Sequence, residues 1–170
     1  APDGADPDRM RATPRMEAQV SAVPGAAWDV PPPWIEETAG AMRKGSYRIP
    51  SASGAAPAEL SITAFPGDVG GLTNNINRWR NQIGLDPQSA GEIAASLADR
   101  EVDGFPASVC YLSPDVPDPE SPVVLGAVVS LPGHTWFFKM SGSHAVVNGE
   151  RERFSGFLDT VTFDPPRDAR

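Results

Sequence analysis

Nineteen prolines and sixteen glycines, 35 of 170 residues, punctuate this chain more densely than any other feature of its sequence. Proline fixes φ and removes a backbone donor, while glycine relaxes the backbone into conformations closed to other residues. At this density regular elements must be short and turns frequent, which argues against a mostly helical bundle. The length fits one domain and leaves little room for a second independent core. Hydrophobic residues at 40% and aromatics at 8% suffice for a modest core once the polar ends are set aside.

Residues 1–27 are rich in Ala, Pro, Asp and Arg and show a period of neither 2 nor 3.6, so a flexible N-terminal tail is expected there. Ordered structure is expected from Trp28, where Trp28-Asp29-Val30-Pro31-Pro32-Pro33-Trp34 reads as an edge strand entering a turn, its two indoles on one face. Residues 42–49 form a weaker strand, stopped by Pro50. From Glu59 to Phe65 the alternation is clean, with Leu60, Ile62 and Ala64 on one face and Ser61 and Thr63 on the other, the mark of a half-buried strand. Pro66-Gly67 then turns the chain and Asp68 is placed to cap a helix. On that helix Leu72, Ile76, Trp79 and Ile83 make one apolar stripe before Gly84 stops it. Ser89-Ala90-Gly91-Glu92 matches a capping box, with Ile93 and Leu97 as the inner face of a short helix ahead of a turn at Asp103-Gly104.

Phe105 to Leu112 reads as a strand, followed by an acidic loop over 113–122 that four prolines keep irregular. Val123 to Leu131 is apolar at nearly every position, as in a central strand covered on both faces. After the Pro132-Gly133 turn, Thr135 to Met140 returns with Trp136, Phe138 and Met140 on one side, and this hairpin is the expected core. A last helix, capped by Ser143, would bury Val147, Phe154, Phe157, Leu158 and Val161 and leave Glu150 to Arg153 in solvent. Thr162-Phe163 closes as a short strand and 164–170 form a C-terminal tail. The fold class is α+β, an antiparallel sheet sandwiched between helices, as a single domain over 28–163.

Fourteen Lys and Arg against twenty-two Asp and Glu give a net charge of -8, which repels a phosphate backbone at long range and disfavours a nucleic-acid partner. Cys110 is the single cysteine, so neither an internal disulfide nor a cysteine-based metal site is available. The longest apolar run, Val123 to Val129, is far too short to span a bilayer as a helix. The sequence opens at Ala1 without an initiator Met; the expectation is a processed mature protein, periplasmic or secreted, with a lost leader as its tether to a membrane.

The order of elements resembles the PsbP-like family, and so do two end motifs. One is the opening aromatic-Val-Pro-x-x-Trp pattern at Trp28 to Trp34. The other is the close, in which Trp136-Phe137-Phe138-Lys139-Met140 leads through a capped helix to Phe154-x-x-Phe157-Leu158 and Val161-Thr162-Phe163. The resemblance implies an α/β/α sandwich and a non-enzymatic accessory, since that family holds extrinsic subunits of photosynthetic complexes and bacterial lipoproteins. It implies a protein that docks on a larger electron-transfer or photosynthetic complex, membrane-embedded or not. No metal motif carries across with it.

Several groups are candidates for a site. Asn74, Asn77, Arg78 and Asn81 share one region of the first helix, and asparagine is a poor helix former, an inconsistency that a polar ligand or partner surface would explain. Trp28 and Trp34 flank a proline-rich edge, where an exposed indole would anchor a protein partner. His134, Met140 and His144 combine imidazole and thioether, the donor set that suits copper, and make the alternative of a periplasmic small-ligand or metal-binding module. Gly67-Asp68-Val69-Gly70-Gly71 lacks the Lys-Ser/Thr ending of a phosphate loop and reads as a tight turn. No nucleophile elbow or paired acid and base is visible, so neither catalysis nor a cofactor is expected.

Overall fold

Leu60, Ile62 and Ala64 are fully buried, while Glu59, Ser61, Thr63 and Phe65 between them stay partly exposed, as expected of a strand with one face on a core. In the computed structural model, which describes residues 23–165, this strand is β4 (Ala58–Pro66) of a seven-stranded antiparallel sheet. Its partners are β2 (Ile35–Glu36), β3 (Gly45–Ile49), β5 (Ala98–Val102), β6 (Phe105–Leu112), β7 (Pro122–Leu131) and β8 (His134–Ser143), in the order β2-β3-β4-β8-β7-β6-β5. A separate ladder pairs β1 (Ala26–Ala27) with β9 (Thr162–Phe163).

Helices cover both faces. Trp136, Phe138 and Met140 of β8 meet the buried row of β4 on one side, where α3 (His144–Val147) and α4 (Arg151–Thr160) contribute Val147, Phe154, Phe157 and Leu158. The rings interlock edge to face, with Phe138 and Phe157 centroids 5.8 Å apart. On the other side Phe137, Val124, Val128, Cys110 and Leu112 pack against Ile76 and Trp79 of α1 (Leu72–Gln82) and Ile93 of α2 (Ala90–Ser96). The result is the α+β sandwich.

Two tryptophans rest on glycines. A Cβ at Gly126 would lie 2.4 Å from the Trp79 ring, and one at Gly45 would lie 2.9 Å from Trp28. Only a residue without a side chain lets either indole approach its strand this closely.

Several expectations need correction. Val23 is buried and Ala26–Ala27 pair with Thr162–Phe163, so residues 23–27 of the expected tail belong to the packed unit. Asp164, at the start of the expected C-terminal tail, donates its amide to the Gly25 carbonyl. Residues 1–22 and 166–170 lie outside the described residues. Trp28 to Trp34 is not a strand: its prolines lack ladder donors, and pairing begins only at Ile35.

Asp68 does not cap α1. The N-cap is Gly71, and the Asp68 carboxylate accepts from the Gly70 amide within the turn. Val69 in that turn has φ 53°, a strained left-handed conformation for a β-branched residue. Ser143 stands at the N-cap of α3 without a side-chain cap bond. The long last helix is interrupted by a 3₁₀ turn at Asn148–Glu150, and Glu150 is buried rather than solvated. The edge strand β5 was missed altogether, because Asp99, Arg100 and Glu101 give its sequence a solvated look.

Candidate anion-binding groove

On its own face of the sheet α1 packs over residues of β8, β7 and β6, while the outward residues of β4, Ser61 and Thr63, remain partly open. The step between helix and bare strands forms a groove of about 220 Å³. Arg78, Trp79 and Gln82 of α1 make one wall; Lys139 of β8 and Ser61 and Thr63 of β4 make the floor; Arg43, ahead of β3, closes the far side.

Lys139 lies opposite Ser61 on one neighbouring strand and Gly126 on the other. The alternation that buries Phe138 and Met140 therefore sends Lys139 out on the α1 side. Its ammonium donates to the Gln82 side chain and stands 5.9 Å from the Trp79 ring centroid. Burial lowers the Lys139 pKa from its ordinary value, and the positive charges of Arg78 and Arg43 lower it further against the opposing pull of Glu59.

Arg78 is held from behind. Its guanidinium donates to the Asn75 side-chain oxygen at 2.7 Å, and the buried Asn75 amide in turn donates to the Gly71 carbonyl at 2.8 Å. Asn75 thus fastens Arg78 to the first turn of its own helix. Arg43 is neutralised by Glu59 at 2.5 Å. Neither Arg78 nor Lys139 has a described carboxylate within ion-pair distance. Among the described residues, two positive groups without an ion-pair partner thus face one groove on a protein of net charge -8.

Of the four helix residues singled out in the sequence, only Arg78 reaches this groove. Asn77 uses both ends of its amide on the backbone of Gln88, at 2.9 Å each, and ties α1 to the start of α2. Asn74 donates to the Gly70 carbonyl, and Asn81 is exposed outside the groove. Asn74 and Asn75 bond to the start of α1 and Asn77 to the segment that opens α2, contacts that offset the poor helix propensity of these three. Sequence reasoning passed over Lys139, yet it is the single charge in the run Trp136 to Met140.

Of the two indoles, Trp34 is an interior group and Trp28 is half-buried against the core. Trp34 is 6% exposed, donates to Glu150 at 2.7 Å and lies 5.4 Å from the Phe157 ring. Trp28 is half-buried, donates to the Tyr47 hydroxyl at 2.7 Å and packs on Trp136. They do share one face, against Phe157.

The proposed copper ligands do not converge. His134 opens β8 and His144 follows its end, so an extended strand separates them by roughly 30 Å at about 3.3 Å per residue. Met140 is fully buried in the core, and His144 Nδ1 is paired with the Tyr111 hydroxyl at 2.8 Å.

No family model and no curated protein matches the chain. Solved structures are similar to it to differing degrees. LpqN, involved in cell envelope biogenesis of Mycobacterium tuberculosis, is similar with a TM-score of 0.54 at 13% identity, over 84% of this chain and 84% of its own. A Bacteroides thetaiotaomicron structure has a TM-score of 0.45 at 11% identity, over 81% of this chain and 44% of its own. A protein of unknown function from Pseudomonas aeruginosa has 0.43 at 8% identity, over 80% and 95%. The likeness to LpqN is one of fold, the α+β sandwich. The PsbP-like family, and with it a photosynthetic or electron-transfer setting, finds no support among these matches. No helix among the described residues is long and apolar enough to cross a membrane.

Proposed function

We propose that this chain is a non-enzymatic accessory protein of the cell envelope, working outside the cytoplasm, and that it binds a small anionic ligand between Arg78 and Lys139. The observation that carries the reading is the pair of cations, Arg78 and Lys139, that face one groove with no ion-pair partner among the described residues. Like charges held together with partial loss of solvent raise the energy of the empty site, and an anion placed between them relieves that repulsion. Ser61 and Thr63 supply hydroxyl donors beside them. The envelope role reported for LpqN supports the setting.

Calorimetric titration of the full chain with sulfate and with inorganic phosphate tests the reading. Saturable binding that weakens about tenfold in Arg78→Ala, the loss of one charge-assisted bond, is the expected result. Equal heats for both proteins would end it.

A second reading keeps the extrinsic-subunit role, and one observation favours it. Val116 is 89% exposed at the acidic proline loop between β6 and β7, the most exposed large apolar side chain described. Such a residue suits contact with a protein partner. Blue-native separation of source membranes distinguishes the two: co-migration with a larger complex supports the subunit role, and a free 18.0 kDa species supports the ligand module.

A further inference from the structure

On the opposite face of the sheet, a cavity of about 360 Å³ opens between α4 and the outer strands β5, β6 and β7. Its walls are mainly apolar, with Val109 and Leu125 from the sheet, Phe154 and Leu158 from α4 and Ala98 at the sheet edge, and Ser96 and Ser155 add hydroxyls. Arg100 ties that edge to α4 through Asp159 at 2.7 Å, so its charge is already matched.

Arg151 is different. Its guanidinium carbon sits 3.7 Å from the centroid of the Tyr111 ring at the cavity wall, and no described carboxylate pairs with it. The ring beneath is fixed by the bond from Tyr111 to His144. A guanidinium stacked on an aromatic face keeps its in-plane donors for a planar carboxylate, which it can take two-fold. Arg151 also hydrogen-bonds Tyr111, and a largely apolar chamber whose oriented guanidinium has no carboxylate partner among the described residues suits an amphipathic anion.

We propose that this cavity is a second ligand site, taking an organic monocarboxylate whose compact apolar body lies against Leu125, Phe154 and Leu158 and whose carboxylate engages Arg151. The cavity, at about 360 Å³, falls in the size range of small-molecule sites. A free oxyanion such as sulfate would leave those walls unfilled, so this ligand class is distinct from that of the groove.

The test is titration of the full chain with phenylbutyrate and with its neutral amide, followed by amide chemical shifts. Saturable shifts at residues 98–100, 109–111 and 151–158 are expected, with affinity falling about tenfold in Arg151→Gln and for the amide. Ala98→Leu, which narrows the cavity from an exposed edge position, should also weaken binding, and Arg78→Gln should leave it unchanged. Absence of saturable shifts at those residues, or equal affinity for acid and amide, overturns the proposal. Loss in Arg78→Gln with retention in Arg151→Gln overturns it as well, by moving the ligand to the groove.

Discussion

Gly126 is the residue on which the α1 face most depends. It sits within β7, opposite Lys139 on one side and Cys110 on the other, and its missing side chain is the space that the Trp79 ring occupies. Trp79 in turn packs edge to face on Phe137 and walls the groove. A methyl group at 2.4 Å cannot be absorbed by a small shift, since real Cβ contacts are never so short. Gly126→Ala should therefore force Trp79 off the strand and destabilise the fold by about 1–3 kcal/mol, the usual range for overpacking. Urea unfolding would show this as a lower midpoint, and quenching or a shift of tryptophan emission would report the displaced ring. An unchanged midpoint would mean that α1 has room to move.

Local signals carried most of the elements into the sequence, each by its own mechanism. The alternation of β4 was legible because one of its faces is polar. The span of β6 was legible because Gly104 and the proline loop bound it. The capping box was legible from two residues: Glu92 receives its bond from Ser89, and the Ser89 hydroxyl accepts from the Glu92 amide at 3.2 Å. That bond also holds the Glu92 carboxyl below the usual range, the backbone donor of Ser89 being the largest cause. Ser89→Ala should cost about 1 kcal/mol by thermal unfolding. Because α2 adds only Ile93 to the core as a buried residue, the loss should be felt first as faster amide exchange in α2.

What stayed illegible was long-range. The burial of Glu150 depends on Trp34 and Arg153 meeting it, at 2.7 Å each, and the first of these is 116 residues away. The groove likewise draws on α1, β4, β8 and the segment before β3, so its cations are scattered as 43, 78 and 139 in the chain. Arg78 stands out in the sequence only because it lies among misfit asparagines, of which Asn74 and Asn75 bond to the start of α1 and Asn77 to the segment before α2.

At the scale of the whole molecule, the net charge of -8 and the basic groove oppose each other. The acidic surface repels an approaching anion at long range, and the cations Arg78 and Lys139 attract it at short range. Salt screens both, and the short-range attraction in a partly desolvated site is screened less than the exposed charges. Affinity for sulfate should therefore fall only modestly with added salt. Its pH dependence is more diagnostic. Without ligand, the Lys139 pKa is lowered by burial and then by Arg78 and Arg43. A bound dianion favours the charged ammonium and raises that pKa, so binding takes up a proton in the window between the two values. Affinity should be constant below the lowered pKa of the empty site, decline as pH rises through the window, and level off above the pKa of the occupied one. Sulfate itself does not titrate there, so the slope belongs to the protein. In Lys139→Arg the guanidinium stays charged throughout, and the alkaline decline should vanish while binding persists. A decline that survives in Lys139→Arg would place the titrating group elsewhere and remove Lys139 from the site.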